Sequence, residues 1–254
     1  MAKVIAIANQ KGGVAKTTTS GALAAGLKKK GFNVLAVDVD PQGNLSDSVG
    51  ADNQHEVTVY ELLKIETTAK EAIQKMDMFD IIPANIMLAG AEQEIAQIGK
   101  EQRLKEMLAP IMCDYDYIVI DTPPALGLMT INAFTVADDV IVPTTAGIFA
   151  ANGIGQLYDT IKNVQRYCNK KVKIAGILLT KYNPRTINNR DMKELTEQLA
   201  QYMDAPMYQT TIRSSVVVEE AQTRKTDIFS YKADAAVAAD YAAFIEEYLK
   251  GENK

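Results

Sequence analysis

Asn9-Gln10-Lys11-Gly12-Gly13-Val14-Ala15-Lys16-Thr17-Thr18-Thr19 is the stretch on which the fold turns. Ahead of it, Val4-Ile5-Ala6-Ile7-Ala8 is short and apolar, the form of a buried parallel strand. Behind it, from Thr17 to Lys30, the residues Ala22, Leu23, Ala25, Gly26 and Leu27 fall at helical spacing. Strand, glycine loop and helix in succession are the context a phosphate-binding loop requires. Backbone N–H groups of the loop and of the first helical turn point to one place, and the helix dipole adds to their field. Gly12, Gly13, Val14, Ala15 and Thr18 would form this cradle. Lys16 would reach the β- and γ-phosphates, and the Thr17 hydroxyl would coordinate Mg²⁺.

Two features of the loop are unusual. Glycine normally precedes the lysine, and Ala15 stands there instead. Alanine fits if that position has negative φ and is strained if φ is positive. Lys11 sits five residues before Lys16, directly ahead of the glycines. From there it serves its own cradle poorly, but it could reach the phosphates of a facing subunit.

Two further strand ends carry carboxylates. Asn33 to Val37 reads as a strand delivering Asp38-Val39-Asp40-Pro41-Gln42-Gly43-Asn44, and Pro41 stops the strand. Asp38 and Asp40, two apart on an extended segment, share a face. Beside a triphosphate, such groups hold Mg²⁺ waters or orient an attacking water. Tyr117-Ile118-Val119-Ile120 is a second buried strand, ending in Asp121 and the loop Thr122-Pro123-Pro124. Asp121 would accept from Mg²⁺-bound water opposite Thr17, and Thr122 to Gly127 would sense the γ-phosphate.

The rest of the chain reads as a continuing alternation. Strands are expected at 79–84, 137–143, 172–179 and 205–210, and helices at 59–63, 69–75, 86–98, 102–111, 149–167, 190–203 and 234–249. Met78, Met87, Met107 and Met112 read as fillers of core gaps. This pattern predicts an α/β fold with a single doubly wound, mostly parallel sheet, a P-loop NTPase architecture in one domain over 1–254. Ligands of such sheets bind at the carboxyl ends of the strands, where all three motifs fall.

Composition narrows the classes. The net charge of −5 gives no global nucleic-acid signature, so any basic patch is local. Cys113 and Cys168 lie far apart, which argues against a metal-cluster carrier or a disulfide framework and suits a reducing cytoplasm. No apolar run reaches the ~20 residues of a membrane span, and no signal peptide precedes the first strand. The single histidine, His55, lies in a polar stretch and reads as a surface residue.

Lys11-Gly12-Gly13-Val14-Ala15-Lys16-Thr17-Thr18 resembles the deviant Walker A motif of the ParA/MinD ATPases. Asp38 to Asn44 is similar to that family's Asp-x-Asp-Pro-Gln-Gly-Asn run. The resemblance implies ATP and Mg²⁺ as cofactors and Lys11, Lys16 and Asp40 as catalytic residues. It places Thr17, Asp40 and Asp121 around the metal, with Asp40 positioning the hydrolytic water. It puts Ile212 and Arg213 beside the adenine. It further implies an ATP-dependent homodimer in which Lys11 crosses the interface, non-specific DNA binding on the nucleoid, and a ParB-like partner that stimulates hydrolysis. The chain starts at its first strand and so resembles the small type without an N-terminal helix-turn-helix.

DNA binding in that family uses basic residues of the C-terminal third. Here 181–232 holds eight cations against seven anions, a mild enrichment. Where the family carries Ile-Pro-Arg-Asn-Val-Arg, this chain reads Ile212-Arg213-Ser214-Ser215-Val216-Val217, with valine in the helix-borne arginine slot. Arg190, Arg213, Arg224 and Lys225 are the remaining candidates. Positioning of a protein cargo on the nucleoid is the alternative with identical chemistry. A MinD-like membrane-surface role needs a basic amphipathic C-terminal helix, and Phe244 to Lys254 has too little basic charge for one.

Overall fold

Strand β1 (Lys3–Ile7) runs through the middle of the sheet, and its side chains alternate between two cores. Val4 and Ala6 pack on one face and Ile5 and Ile7 on the other, all with no exposed surface. The same alternation holds in its neighbours, with Ile118 and Ile120 opposed to Val119, and Val140 and Val142 opposed to Ile141. Strands apolar on both faces must be covered on both faces, which forces a three-layer fold.

The computed structural model describes the chain except His55, Ala96, Gln97, Gly147, Thr186, Asn253 and Lys254, and except the helical side chains at 92, 148–152, 187–189, 199 and 202. After β1 come α1 (Lys16–Lys29), β2 (Val34–Asp38), α2 (Asn44–Val49), α3 (Val59–Leu63), α4 (Ala69–Ala72) and β3 (Asp80–Ile82). Then follow α5 (Ala91–Glu94), α6 (Arg103–Leu108), β4 (Tyr117–Asp121), α7 (Leu128–Val136), β5 (Asp139–Thr145) and α8 (Ile148–Tyr167). The chain continues through β6 (Lys173–Thr180), α9 (Ile187–Tyr202), β7 (Met207–Thr211), α10 (Val216–Thr223), α11 (Ile228–Tyr231) and α12 (Ala236–Glu252). The strand order is β3-β2-β4-β1-β5-β6-β7, and every pair is parallel. The expected doubly wound parallel sheet is therefore present, with all seven strands where the sequence placed them to within a few residues.

Three expectations need correction, and one helix is not legible in the sequence. The helix expected at 86–98 is a 3-10 turn (Ile86–Gly90) followed by the short α5, with Ala96 and Gln97 outside the described residues. The helix expected at 102–111 is likewise α6 flanked by two 3-10 turns, Lys100–Gln102 and Ala109–Ile111. Met87 is 55% exposed and fills no core gap. Helix α7 had no counterpart in the sequence reading, because eight of its nine residues are buried and apolar periodicity is lost in a helix covered all round. The expectation for His55 lies outside the described residues.

Small residues set the spacing of the layers. Ala22, Ala24, Ala25 and Gly26 let α1 approach α12, and a Cβ at Gly26 would run into Ile245 Cδ1. Gly176 on β6 lies flat under the ring of Tyr208, which meets Phe244 edge-on with centroids 4.9 Å apart. Gly176→Ala must push that ring aside and should cost about 1–3 kcal/mol of unfolding free energy. Urea denaturation checks this, and an unchanged midpoint would contradict the packing described.

Candidate functional site

The loop between β1 and α1 is held open by its own side chains. Asn9 Nδ2 donates to the Pro143 carbonyl at 2.7 Å, and Asn9 Oδ1 accepts from the Lys11 N–H at 3.0 Å. The Val14 carbonyl accepts from the Thr180 hydroxyl at 3.0 Å. Gly13 has φ 74° and Ala15 has φ 63°. The question raised by Ala15 is thus answered on the costly side. It is the N-cap of α1 in a left-handed conformation that disfavours a Cβ by about 1–2 kcal/mol. A Cβ added at Gly12 or Gly13 would meet no atom within 4 Å, so the space above both is open to an approaching anion.

Below this loop lies a cleft of about 640 Å³. Gly12, Gly13, Ala15, Lys16, Thr17 and Thr18 line it on one side, and Asp40 on another. Ile212, Arg213, Ser214 and Ser215 close the far end. These residues come from the carboxyl ends of β1, β2 and β7, so the fold gathers the motifs that the sequence separates by up to two hundred positions. Val14 is buried beneath the loop and Lys11 does not line the cleft. Ser214, which the resemblance places with Ile212 and Arg213 beside the adenine, also lines it, and Ser215, Lys181, Val218, Gln222 and Tyr241 line it without having been expected. Ser215 and Lys181 follow Ser214 and the end of β6, while Val218, Gln222 and Tyr241 come from α10 and α12 and carry no local signal.

Lys16 is 8% exposed, and its ammonium donates to the Lys11 carbonyl at 3.4 Å. Burial pulls its pKa down, while the charges of Asp121 and Asp40 push it up. A buried ammonium on one long hydrogen bond is short of counter-charge, which a phosphate supplies.

Asp121 and Asp38 are register partners at the ends of β4 and β2, and both are fully buried. Asp38 accepts from the Ser46 N–H at 3.0 Å, the Ser46 hydroxyl at 2.8 Å and the Asp40 N–H at 3.1 Å. These contacts tie Asp38 to the loop that follows it. Asp40 is the carboxylate that reaches the cleft, its Oδ1 accepting from the Gln42 N–H at 3.0 Å. Asp121 Oδ1 accepts from the Ser20 hydroxyl at 2.8 Å, and its Oδ2 has no partner. Burial first, and the charge of Asp38 second, push the Asp121 carboxyl up to about 8, against the hydrogen bonds from Thr17 and Ser20 and the charge of Lys16. Burial pushes Asp38 up to about 6, against its hydrogen bonds from Ser46 and Asp40.

An orphaned carboxylate oxygen beside a threonine hydroxyl fits a hard divalent cation. Among the described residues no group of three His, Cys, Asp or Glu could hold a metal by itself. Magnesium would therefore be held jointly with phosphate oxygens and water, as Mg²⁺ usually is.

Comparison with known proteins gives the family. A profile of the AAA_31 family, an AAA domain, matches residues 2–174. The sporulation initiation inhibitor protein Soj of Bacillus subtilis is 40% identical, over 97% of this chain and 98% of its own. The chromosome-partitioning ATPase Soj of Treponema pallidum is 36% identical, over 98% of both chains. The chain belongs to the ParA/Soj-type partition ATPases of the ParA/MinD superfamily. A solved structure titled cobyrinic acid a,c-diamide synthase from Mycobacterium smegmatis, with a bound ATP analog and magnesium, superimposes with a TM-score of 0.87. It is 36% identical and covers 100% of this chain and 97% of its own. The cofactors of this ParA-type P-loop ATPase are ATP and Mg²⁺.

The cations considered for DNA do not form one cluster with the cleft. Arg213 is held in a two-pronged pair with Asp240, at 2.6 Å through Nε and 2.8 Å through Nη2. Arg224 lies over the Tyr231 ring at 5.5 Å, and the stem of Lys225 lies against Gly50. Arg190 is exposed on α9.

Two outcomes follow from the strained cap and the buried carboxylates. Ala15→Gly relieves about 1–2 kcal/mol of backbone strain and gives back about 0.4–1 through unfolded-chain entropy, so thermal denaturation should show equal or slightly higher stability with nucleotide binding kept. A clear fall in stability would contradict the left-handed cap. Asp121→Asn removes a carboxyl whose folded pKa lies above its unfolded value. In the metal-free protein that carboxyl costs stability increasingly as pH rises from about 4 to about 8. The variant should therefore melt higher than the parent at pH 8 without Mg²⁺ and hydrolyse ATP poorly with it. A lower melting temperature under those conditions would sink the assignment.

Proposed function

We propose that this protein hydrolyses ATP with Mg²⁺ as an ATP-bridged homodimer, binds DNA without sequence preference, and is released when a ParB-like partner stimulates hydrolysis. The observation that carries the dimer is Lys11. Its ammonium donates to the Thr145 hydroxyl at 3.4 Å and has no part in its own cleft, although it stands beside the loop. A lysine so placed is available to the phosphates of a second copy facing the loop. Asp40, at the cleft and close enough for its charge to act on Lys16, is the group placed to orient the attacking water. Thr17 and Asp121 hold the magnesium side, and the loop after Asp121 reads the γ-phosphate. Ile212 lies at the base end. Arg213, tied to Asp240, positions that wall more than it offers free charge.

Relatives named for chromosome partition cover nearly the whole chain and support DNA as the partner. Arg190, Arg224 and Lys225 are the C-terminal cations left to meet it, in the cytoplasm on the nucleoid. A membrane-surface role is disfavoured, because the apolar face of α12 is buried in the core through Phe244, Ile245 and Tyr248. No helix among the described residues is long and apolar enough to cross a membrane.

Sedimentation velocity tests the dimer. Wild type should sediment as a dimer with ATP and Mg²⁺, and Asp40→Ala should hold that dimer while hydrolysis falls by at least about tenfold, a change of ~1.4 kcal/mol in the barrier. Lys11→Ala should still bind ATP and remain monomeric. A Lys11→Ala protein that dimerises as well as wild type would overturn the bridging role.

A further inference from the structure

A second charged surface lies at the opposite end of the sheet from the ATP cleft. Between Lys162 and Lys173 the chain holds five cations, Lys162, Arg166, Lys170, Lys171 and Lys173, and no acidic residue. All five are exposed. Lys162 and Arg166 are four apart on the last turns of α8 and so share a face, about 6 Å along the helix. Lys170 and Lys171 follow in the turn into β6.

That turn is built rather than loose. Asn169 Nδ2 donates to the Phe134 carbonyl at 3.0 Å and the Ala137 carbonyl at 2.7 Å, and its Oδ1 accepts from the Lys171 N–H at 3.1 Å. Gln165 Nε2 donates to the Val172 carbonyl at 2.6 Å, tying the helix to the strand. Both ends of the basic segment are thereby fixed. Lys105 and Met1 border the same depression as Lys170 and Lys171, whose one carboxylate, Asp138, is engaged by the Val4 N–H at 2.9 Å. Lys3 and Lys173 are drawn toward Asp139, at 3.0 and 3.8 Å. Tyr167 is 70% exposed with the Arg166 guanidinium 5.1 Å from its ring.

We propose that Lys162, Arg166, Lys170 and Lys171 form a phosphate-binding surface for nucleic acid, separate from the C-terminal cations considered above. It deepens the DNA-binding reading and rests on it. Lys162 borders a depression that also holds Asp139, Asp204, Glu247 and Glu252, whereas Lys170 and Lys171 border the one described above. Arg166, Lys170 and Lys171, on a tied backbone at one end of the molecule with Lys162 beside them, are what phosphate contacts require, and sequence preference is not expected from them. An anionic membrane fits less well, since the described side chains of α8 beside these cations expose no apolar run to insert. The surface faces away from the cleft, so its charge does not depend on what the cleft holds. Nucleotide should therefore change its share of the DNA affinity only by joining or separating subunits, so that binding is strongest with ATP and falls on hydrolysis. In a dimer joined through the clefts, two such surfaces would point outward from opposite ends.

The test is fluorescence anisotropy with a labelled duplex of arbitrary sequence, titrated at several salt concentrations in the three nucleotide states. The full chain is compared with the combined variant Lys162→Ala, Arg166→Ala, Lys170→Ala and Lys171→Ala, and with Arg224→Ala, Lys225→Ala. The fourfold variant should keep its melting temperature and its DNA-free ATPase rate. With ATP its log–log salt slope should fall by about 3–4, at ~0.9 for each phosphate no longer neutralised. If wild type binds DNA and the fourfold variant matches its affinity and slope, the surface is not used and the DNA reading stands. If wild type hydrolyses ATP but binds no DNA in any state, both fall. If the variant loses binding to phosphatidylglycerol vesicles and keeps binding to duplex, the surface belongs to a membrane and the proposal is overturned.

Discussion

Asp38 and Asp121 end adjacent parallel strands in register, both without exposed surface, and the site is arranged around their repulsion. Asp38 is neutralised in part by donors from Ser46 and Asp40, which fixes the loop that carries Asp40 to the cleft. Asp121 keeps one oxygen unpartnered. Lys16 approaches from the other side, stripped of water and held by a single carbonyl. Two carboxyls pushed up and one ammonium pushed down by burial describe a site suited to a cation on one side and an anion on the other. Magnesium held at Asp121 would supply positive charge there, and phosphates at Lys16 would supply the negative charge.

The burial of these charges depends on how closely the layers pack. The sheet needs small residues, Gly26 and Gly176 among them, to bring its layers close, and that packing keeps water from the strand ends. Dry strand ends make the unpaired charges costly and so make nucleotide binding more favourable. The strained Ala15 belongs to the same arrangement, since the left-handed cap starts α1 at the wall of the cleft.

Much of this was legible in the sequence. Seven strands could be read because parallel strands are short apolar runs bounded by glycine, proline or aspartate, and the three phosphate-site motifs sit where such strands end. Helix α7 was not legible, since Leu128, Phe134 and their neighbours are buried on all sides and show no period. The region after Ile86 misled for the opposite reason, because a helical period there is interrupted by 3-10 turns. The pairing of Arg213 with Asp240 spans 27 positions and has no local signal. Asp38 and Asp40 looked equivalent by spacing, and only the fold shows that one is taken up by Ser46 while the other lines the cleft. The basic end of α8 was hidden by counting charge over the C-terminal third alone.

The most direct measurement is the stability of the protein by urea denaturation from about pH 5 to about pH 8.5, with and without Mg²⁺ and ATP. Because Asp38 and Asp121 have folded pKa values above their unfolded ones near 4, the free protein should lose stability as pH rises from about 5, with the Asp38 part levelling off near 6 and the Asp121 part near 8. Magnesium and nucleotide should hold Asp121 ionised and abolish most of that decline, so the two curves should diverge with rising pH. Parallel curves, offset by a constant binding contribution, would contradict the view that the ligands complete a charge-deficient site.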